Sequence, residues 1–221
     1  ADVIACNRCP RLRTYCMEVA RIKRKSFADW DYWAKPVPGF GDPNAWLWIV
    51  GLAPAAHGAN RTGRIFTGDR SGDFLFAALH RAKLANQPTS VSRDDGLKLA
   101  GCYISATVRC APPDNKPAPE EIAACSEYLD TEWRLLRQKR VILALGKIAW
   151  DACLQLAQRN GLTIARPRPA FGHAAQAKLT PSLTLIGSYH VSQQNTFTGK
   201  LTNAMFDAVL KTARRKSHAK W

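Results

Sequence analysis

The sequence predicts an α/β fold with three layers, in which helices cover both faces of a central, mostly parallel sheet of four strands. Short apolar runs alternate with amphipathic segments of helical length, a pattern typical of parallel sheets. The four predicted strands cover residues 46–50, 103–108, 141–145 and 183–188. Hydrophobic residues make up 46% of the 221 residues, which is enough for a core of this size. We therefore expect a single domain over residues 1–221.

Four intervening helices are predicted. The first lies near residues 72–83, the second begins at residue 119, the third ends at about residue 159, and the fourth covers residues 201–214. The second of these helices begins at Pro119, because proline is favoured at the first helical position. Its apolar residues recur at steps of three and four, as one buried face requires. These residues are Ile122, Cys125, Leu129, Trp133 and Leu136.

Residues 1–44 form an N-terminal extension before the first strand. The extension carries Cys6, Cys9, a basic run and a Pro/Gly-rich stretch over 36–43 that marks a loop.

The chain is strongly basic, with 32 Lys and Arg against 17 Asp and Glu and a net charge of +15. This excess favours a polyanionic partner, although a merely soluble basic surface is the alternative. No apolar run reaches the length of a membrane span, and no secretory signal is visible. The odd number of seven cysteines favours a reducing compartment. We expect a cytoplasmic protein, associated with the nucleoid if it comes from a prokaryote.

Four cysteines have a pattern typical of metal ligands: Cys6 and Cys9 are separated by two residues, and Cys110 and Cys125 bracket a strand end and a helix start. Four thiolates suit either a zinc ion or an iron–sulfur cluster, and the spacing alone leaves both open. The alternatives are a core position for Cys125 and a redox pair at Cys6 and Cys9. The other cysteines are expected in the core or as surplus: Cys16, Cys102 and Cys153.

Two loops follow predicted strands, one over residues 51–72 and the other over 190–195. Ligands of open α/β sheets bind at the carboxyl ends of strands, so the two loops predict one site. The first loop is glycine-rich, but Gly58-x4-Gly63 is followed by Arg64 rather than by Lys and Ser/Thr, and no G-x-G-x-x-G occurs. We therefore expect no nucleotide cofactor.

Four segments carry a resemblance to a known family: 51–55 (GLAPA), 63–68 (GRIFTG), 110–113 (CAPP) and 190–192 (HVS). In this order, together with the four cysteines, they resemble the uracil-DNA glycosylase superfamily, and most of all its iron–sulfur-containing group called family five or type B. The resemblance covers the chain from Cys6 to the last helix.

The resemblance implies a four-iron, four-sulfur cluster on Cys6, Cys9, Cys110 and Cys125. It also implies a DNA-repair hydrolase of base excision repair, which flips a deaminated base out of the duplex and cleaves its N-glycosidic bond. No motif presents a lysine nucleophile for strand cleavage, so we expect a monofunctional enzyme. The competing hypotheses are a basic nucleic-acid-binding protein that has a structural metal and no catalysis, and an unrelated hydrolase on the same fold.

Asp69 and His190 are the expected catalytic residues. His190 follows a strand end and can donate a hydrogen bond to the carbonyl oxygen of the departing base. Asp69 is the nearest acidic candidate to position water, and Asp73 is a weaker one. The alternative for His190 is a strand-end histidine bonded to backbone, and the alternative for Asp69 is a turn residue beside Gly68.

The remaining expected residues bind the substrate. Phe66 offers a stacking face, with a core position as the alternative. Ala53 stands where related groups carry an acidic or amide residue, and Ala106 stands where stricter relatives carry the Asn that reads uracil. The loss of this Asn predicts broader specificity, including hypoxanthine or ethenocytosine. The full set of substrate-binding candidates is Gly51, Ala53, Ala55, Phe66, Ala106, Asn115, Ser192, Gln194, Asn195 and Lys200. We expect damaged DNA as the partner and a monomer.

Overall fold

The sheet of the computed structural model has six strands, and the structure describes residues 3–217. Residues 1–2 and 218–221, the ends of the predicted domain, lie outside the described residues. The strands are β1 (Phe40–Gly41), β2 (Leu47–Gly51), β3 (Cys102–Ala106), β4 (Val141–Leu145), β5 (Gln176–Thr180) and β6 (Leu183–Ser188). Their order across the sheet is β1-β3-β2-β4-β6-β5.

The helices separate the parallel strands and flank the loops. They are α1 (Pro10–Ile22), α2 (Ala59–Thr62), α3 (Arg70–Arg81), α4 (Pro119–Leu135), α5 (Lys147–Arg159), α6 (Gln193–Phe197) and α7 (Asn203–Ser217). Short 3₁₀ turns cover Lys25–Phe27 and Pro113–Asn115.

The four predicted strands are present and run parallel, because β2 pairs with β3 and β4, and β4 pairs with β6. The predicted total of four is too small, since β1 and β5 add antiparallel edges beside β3 and β6. β1 has only two residues and lies in the Pro/Gly-rich stretch. β5 is partly exposed and alternates polar with apolar residues, so it lacks the continuous apolar run of a buried strand.

Side-chain alternation along β2 divides the core between the two faces of the sheet. Leu47 and Ile49 belong to the cluster that includes α3 and α7, whereas Trp48 and Val50 belong to the cluster of α4 and α5. All four side chains are fully buried. A parallel sheet with helices on both faces requires this double burial. Because β2, β3, β4 and β6 run parallel, their carboxyl ends lie at one edge of the sheet.

The N-terminal extension contains helix α1, a helix that the sequence analysis does not predict. Leu12 on this helix is fully buried. Arg11 donates two hydrogen bonds of 2.8 Å to the carboxylate of Glu121 in the first turn of α4. Asn60 Nδ2 donates to the main-chain oxygen of Cys16 at 3.2 Å. These contacts attach the extension to the body of the protein through protein atoms. In the part of the chain that the structure describes, no helix combines the length and the apolar character needed to cross a membrane.

Candidate active site

The carboxyl ends of the parallel strands form the floor of the candidate site. Gly51 at the end of β2 is in register with Ala106 at the end of β3. The main-chain N–H and the hydroxyl of Thr107 donate to the carbonyl oxygen of Gly51, at 2.9 and 3.0 Å. The predicted continuation of this strand to residue 108 is therefore wrong by two residues, because Thr107 turns towards the first loop.

Phe66 lies directly over this floor. A Cβ atom on Gly51 would stand 2.7 Å from Cζ of the Phe66 ring, closer than real Cβ atoms approach a neighbour. The ring centroid is 6.1 Å from that of His190, with 35° between the planes. The structure thus brings together three residues that the sequence placed in two separate loops: Gly51, Phe66 and His190.

Phe66 has a left-handed backbone conformation, with φ of 52°. Non-glycine residues in this region store about 1–3 kcal/mol of strain, which is common at functional sites. The chain before Phe66 is fixed by Arg64, which is buried and donates to both carboxylate oxygens of Asp95, at 2.9 and 2.8 Å. The Thr67 hydroxyl lies 2.7 Å from that of Ser90. Phe66 is only 6% exposed and belongs to the core cluster, so the core alternative describes its surroundings in the free protein.

Asp69 caps the amino terminus of α3. Its Oδ1 accepts a hydrogen bond from the main-chain N–H of Gly72 at 3.0 Å. Its Oδ2 fills the space beside Gly58, where any Cβ would overlap the carboxylate. Burial raises the pKa of Asp69, and the neighbouring Asp73 carboxylate raises it further, while hydrogen bonds from Gly72 and Ser71 oppose both effects. Asp69 is therefore an enclosed carboxylate with a tuned proton affinity, on the same loop as Phe66.

His190 follows β6 and stands beside Gly146, the residue after β4, whose added Cβ would lie 3.6 Å from the Cβ of His190. Its main-chain oxygen accepts a hydrogen bond of 2.8 Å from the side-chain amide of Asn195. Burial lowers the pKa of His190 to about 4. The imidazole is therefore neutral near pH 7 and can donate one N–H without carrying a positive charge.

The other predicted substrate residues are spread around this centre. Ala106 is buried beside Gly51, and Ala55 accepts main-chain hydrogen bonds from Gly58 and Asn60 within the first loop. Ala53 packs near Cys125, so it faces the cysteines as well as the loop. Asn115 is exposed, in a 3₁₀ turn with φ of 56°.

The second loop leads into the short helix α6, which ends at Phe197 and has Ser192 as its N-cap residue. Gln194 and Lys200 are exposed, and the ammonium of Lys200 lies 5.1 Å from the ring centroid of Tyr189. The amide nitrogen of Asn195 is engaged with His190, as described above. Phe197, which the sequence reading did not single out, is 75% exposed beside these polar residues. A single aromatic residue within Gln-Gln-Asn-Thr-Phe-Thr was the available signal.

The four predicted ligand cysteines lie together between α1, the first residues after β3, and α4. Cys9 packs with Cys110, and Cys6 packs with Cys125. Burial, the Glu121 carboxylate, and the thiols of Cys110 and Cys6 all raise the pKa of Cys9. Burial raises the pKa of Cys125 to about 11. These mutual effects require the thiols to lie near one another, and their assignment as ligands of one metal centre stays a prediction.

Cys16 is a fifth thiol in this region, since it is buried in the same cluster as Cys110 and lies 3.6 Å from the main-chain oxygen of Ala111. Within residues 3–217, no three or more His, Cys, Asp or Glu side chains are grouped closely enough to bind a single metal ion.

Comparison with known proteins identifies the family. The model of the uracil DNA glycosylase superfamily matches residues 38–214. The chain belongs to this superfamily. It is 52% identical over 216 residues to the type-5 uracil-DNA glycosylase of Mycobacterium bovis, covering 97% of this chain and 79% of the relative. It is 50% identical over 211 residues to the type-5 uracil-DNA glycosylase of Thermus thermophilus, covering 96% and 93%.

The likeness to the type-4 enzymes of the superfamily is weaker. The type-4 uracil-DNA glycosylase of Pyrobaculum aerophilum is 34% identical over 130 residues, or 58% of either chain. The family-five resemblance predicted from the sequence motifs is therefore confirmed, with the type-5 group favoured over type 4.

Proposed function

We propose that this protein removes uracil from DNA by hydrolysing its N-glycosidic bond, as the first step of base excision repair. The observation that carries the proposal is the meeting of Phe66 with His190 over the bare backbone of Gly51, at the carboxyl edge of the sheet. The names of the type-5 relatives support the same chemistry.

The extruded base is expected to stack beside Gly51, on the face of the Phe66 ring that points away from the Gly51 backbone. Phe66 provides the stacking partner. Because its ring is only 6% exposed in the free protein, base binding requires some of the atoms that cover it to move away. The left-handed backbone at Phe66 keeps the ring at this position before the base arrives.

His190 acts on the departing base. Negative charge develops on the base carbonyl oxygen as the glycosidic bond lengthens, and a neutral imidazole N–H in a buried site stabilises such charge without first giving up a proton. Because burial lowers the pKa of His190 to about 4, we assign it the role of a neutral donor and not of an imidazolium acid.

Asp69 acts on the sugar side of the bond. The glycosidic carbon gains positive charge in the transition state, so a nearby carboxylate stabilises it and holds the attacking water. The Asp69 carboxylate must be ionised for this role. Its raised pKa places the acid limb of the activity profile above the pH expected for an ordinary aspartate.

Broad base specificity is expected from Ala106. It lies beside Gly51 and offers no polar group that a wrong base would leave unpaired, which is the main device for rejecting analogues. Ala53 has no polar side chain to orient water, so that role is left to Asp69. We propose that hypoxanthine and ethenocytosine are removed as well as uracil.

DNA contacts are assigned to the second loop and to the basic surface. Gln194 and Phe197 are exposed next to His190 and can fill the gap that a flipped base leaves, while Lys200 contacts a phosphate. The net charge of +15 supports binding to a polyanion.

Cys6, Cys9, Cys110 and Cys125 are proposed to hold a four-iron, four-sulfur cluster. The support is the donor set, because four thiols lie in two neighbouring packing clusters, Cys9 with Cys110 and Cys6 with Cys125, and four thiolates suit such a cluster. When bound, the cluster supplies a cross-link between α1, the segment after β3, and α4, with electron-transfer capability. The catalytic steps assigned to Asp69 and His190 involve protein groups alone.

The test is incubation of the full chain with a duplex containing one uracil, followed by alkali treatment to break the abasic site. Strand breakage at the uracil, lost in His190→Ala although DNA binding is retained, is the expected result. An intact strand together with tight DNA binding would favour the alternative of a non-catalytic binding protein.

A panel of duplexes with hypoxanthine or ethenocytosine tests the breadth separately. Monomeric state, a single domain over residues 1–221, cytoplasmic location at the nucleoid and the lack of a nucleotide cofactor stay predictions.

A further inference from the structure

Two arginines beside the cysteines carry buried N–H groups that lack an acceptor. Within residues 3–217, no protein atom accepts a hydrogen bond from Nε of Arg13, or from Nε and Nη1 of Arg109. Most buried polar groups in folded proteins are paired, so each exception calls for an acceptor that is not a protein atom.

Arg13 reaches the cysteines from α1. Its Nη1 lies 3.9 Å from Sγ of Cys110, while its Nη2 donates to the main-chain oxygen of Ala34 at 2.8 Å. The bond to Ala34 fixes the plane of the guanidinium, which therefore lies against one proposed cluster ligand.

Arg109 reaches the cysteines from the segment after β3, one residue before Cys110. Its guanidinium lies 5.9 Å from the centroid of the Tyr128 ring, which packs in one cluster with Cys125 and Cys6. The residue is 1% exposed. Glu132 pairs with Nη2 at 2.7 Å, but this bond leaves the other two nitrogens without an acceptor. The ion pair alone therefore does not account for the side chain.

We propose that Arg13 and Arg109 donate their unpaired N–H groups to sulfur atoms of the cluster and offset its negative charge. This inference rests on the proposed iron–sulfur cluster. Four thiolates around a four-iron, four-sulfur core give a net negative group, and sulfur accepts hydrogen bonds from N–H donors. Both arginines are positioning residues that set the cluster's reduction potential and have no part in base removal.

The sign of the effect follows from charge. Reduction adds an electron to an already negative group, so a nearby cation and its N–H donors favour the reduced form. Loss of either arginine therefore lowers the midpoint potential.

The experiment uses the full chain purified without oxygen, with iron and acid-labile sulfide determined for each sample. The midpoint potential is then measured by reductive titration followed by electron paramagnetic resonance. Arg13→Gln removes the charge and the donors, and Arg109→Lys retains the ion pair with Glu132 but removes the additional donors. Arg8→Gln is the matched control for the loss of an exposed charge alone, because Arg8 immediately precedes Cys9, is solvent-exposed and, in the described part of the chain, has no buried N–H group without an acceptor.

We expect Arg13→Gln to weaken reduction about tenfold, which for a one-electron couple is about 59 mV. Arg109→Lys should shift the potential in the same direction, and Arg8→Gln should shift it much less. Loss of iron from a variant that retains the wild-type circular-dichroism spectrum also supports the proposal.

Two results overturn it. Iron-containing variants with the wild-type potential, or with the same shift as Arg8→Gln, overturn the role of the arginines and leave the cluster standing. Wild-type protein that binds no iron after reconstitution overturns the cluster and this inference together, while uracil removal remains a separate measurement.

Discussion

Asp69→Asn separates the helix cap that the structure shows at Asp69 from the catalytic role proposed for it. The side chain caps α3 through its bond of 3.0 Å from Gly72, and its second oxygen lies enclosed beside Gly58. Asparagine caps a helix about as well as aspartate, so we expect a stability change of no more than a few tenths of a kcal/mol. Asparagine has no negative charge, so the stabilisation of the sugar cation and of the attacking water is lost.

The expected loss of turnover is about 10²- to 10⁴-fold, the usual contribution of a general acid–base group. This corresponds to about 3–5 kcal/mol of transition-state stabilisation. Asp69→Ala should lose as much activity and also the cap, which costs about 0.5–2 kcal/mol. For a chain of this size that loss lowers Tm by a few degrees, roughly 2–4 °C per kcal/mol. Single-turnover cleavage of a uracil duplex and thermal unfolding measure the two effects independently.

Two further variants complete the test. Asp69→Ser restores a capping oxygen without a carboxylate, so it should recover stability and remain inactive. Asp73→Asn is the matched control in the first turn of α3. Because the Asp73 carboxylate raises the pKa of Asp69, its removal should retain turnover and move the acid limb to lower pH. Wild-type turnover in Asp69→Asn, or recovered turnover in Asp69→Ser, would refute the catalytic role and leave a purely structural cap.

Three other predictions concern the floor of the site, the histidine and the second loop. Gly51→Ala places a methyl group 2.7 Å from the Phe66 ring and should destabilise the protein by about 1–3 kcal/mol in urea unfolding. The double variant Gly51→Ala with Phe66→Leu should regain stability but not activity. Losses of stability that simply add in the double variant would contradict the contact. Because burial lowers the pKa of His190 from 6.5 to about 4, the unfolded chain binds a proton there first as pH falls. Protonation of His190 should therefore lower the free energy of unfolding of the wild-type protein by about 2–3 kcal/mol between pH 7 and pH 4.5. In His190→Gln the decrease over the same pH range should be smaller by that amount. An equal decrease in both proteins would contradict a buried neutral ring. Phe197→Ala should weaken cleavage of duplex DNA and affect cleavage of single-stranded DNA little, because the exposed ring would insert between bases of the duplex. Thr198→Ala is the exposed control. An equal loss of activity on both substrates would argue against insertion of Phe197 between bases.

The sequence predicts the buried parallel strands well and the partly exposed elements poorly. β4 was predicted with its observed bounds, because Val-Ile-Leu-Ala-Leu is buried on both faces and leaves little alternative. β5 was missed, since an edge strand with an exposed Lys178 has no continuous apolar signal. The predicted start of the helix near residue 72 was two residues late, because Asp69 had been considered for chemistry and not as the cap of α3.

The same limit applies to the site. Motif order predicted that the two loops meet, but not how closely the Phe66 ring covers Gly51, which depends on packing between distant segments. The proximity of the four cysteines was predicted from spacing, whereas the two arginines beside them could not have been. An arginine without an acceptor is visible only when every neighbouring atom has a position.

The hydrogen bond from the Asn195 amide to the main-chain oxygen of His190 spans five residues and closes a tight ring of chain at the end of β6. Asn195 also donates its own main-chain N–H to the oxygen of Ser192, so the ring is braced twice. An insertion or deletion between these residues would rotate the imidazole away from Phe66 even if every side chain were retained. The length of this segment is therefore constrained as well as its composition, and chimaeras that exchange α6 should exchange residues 190–197 as one block.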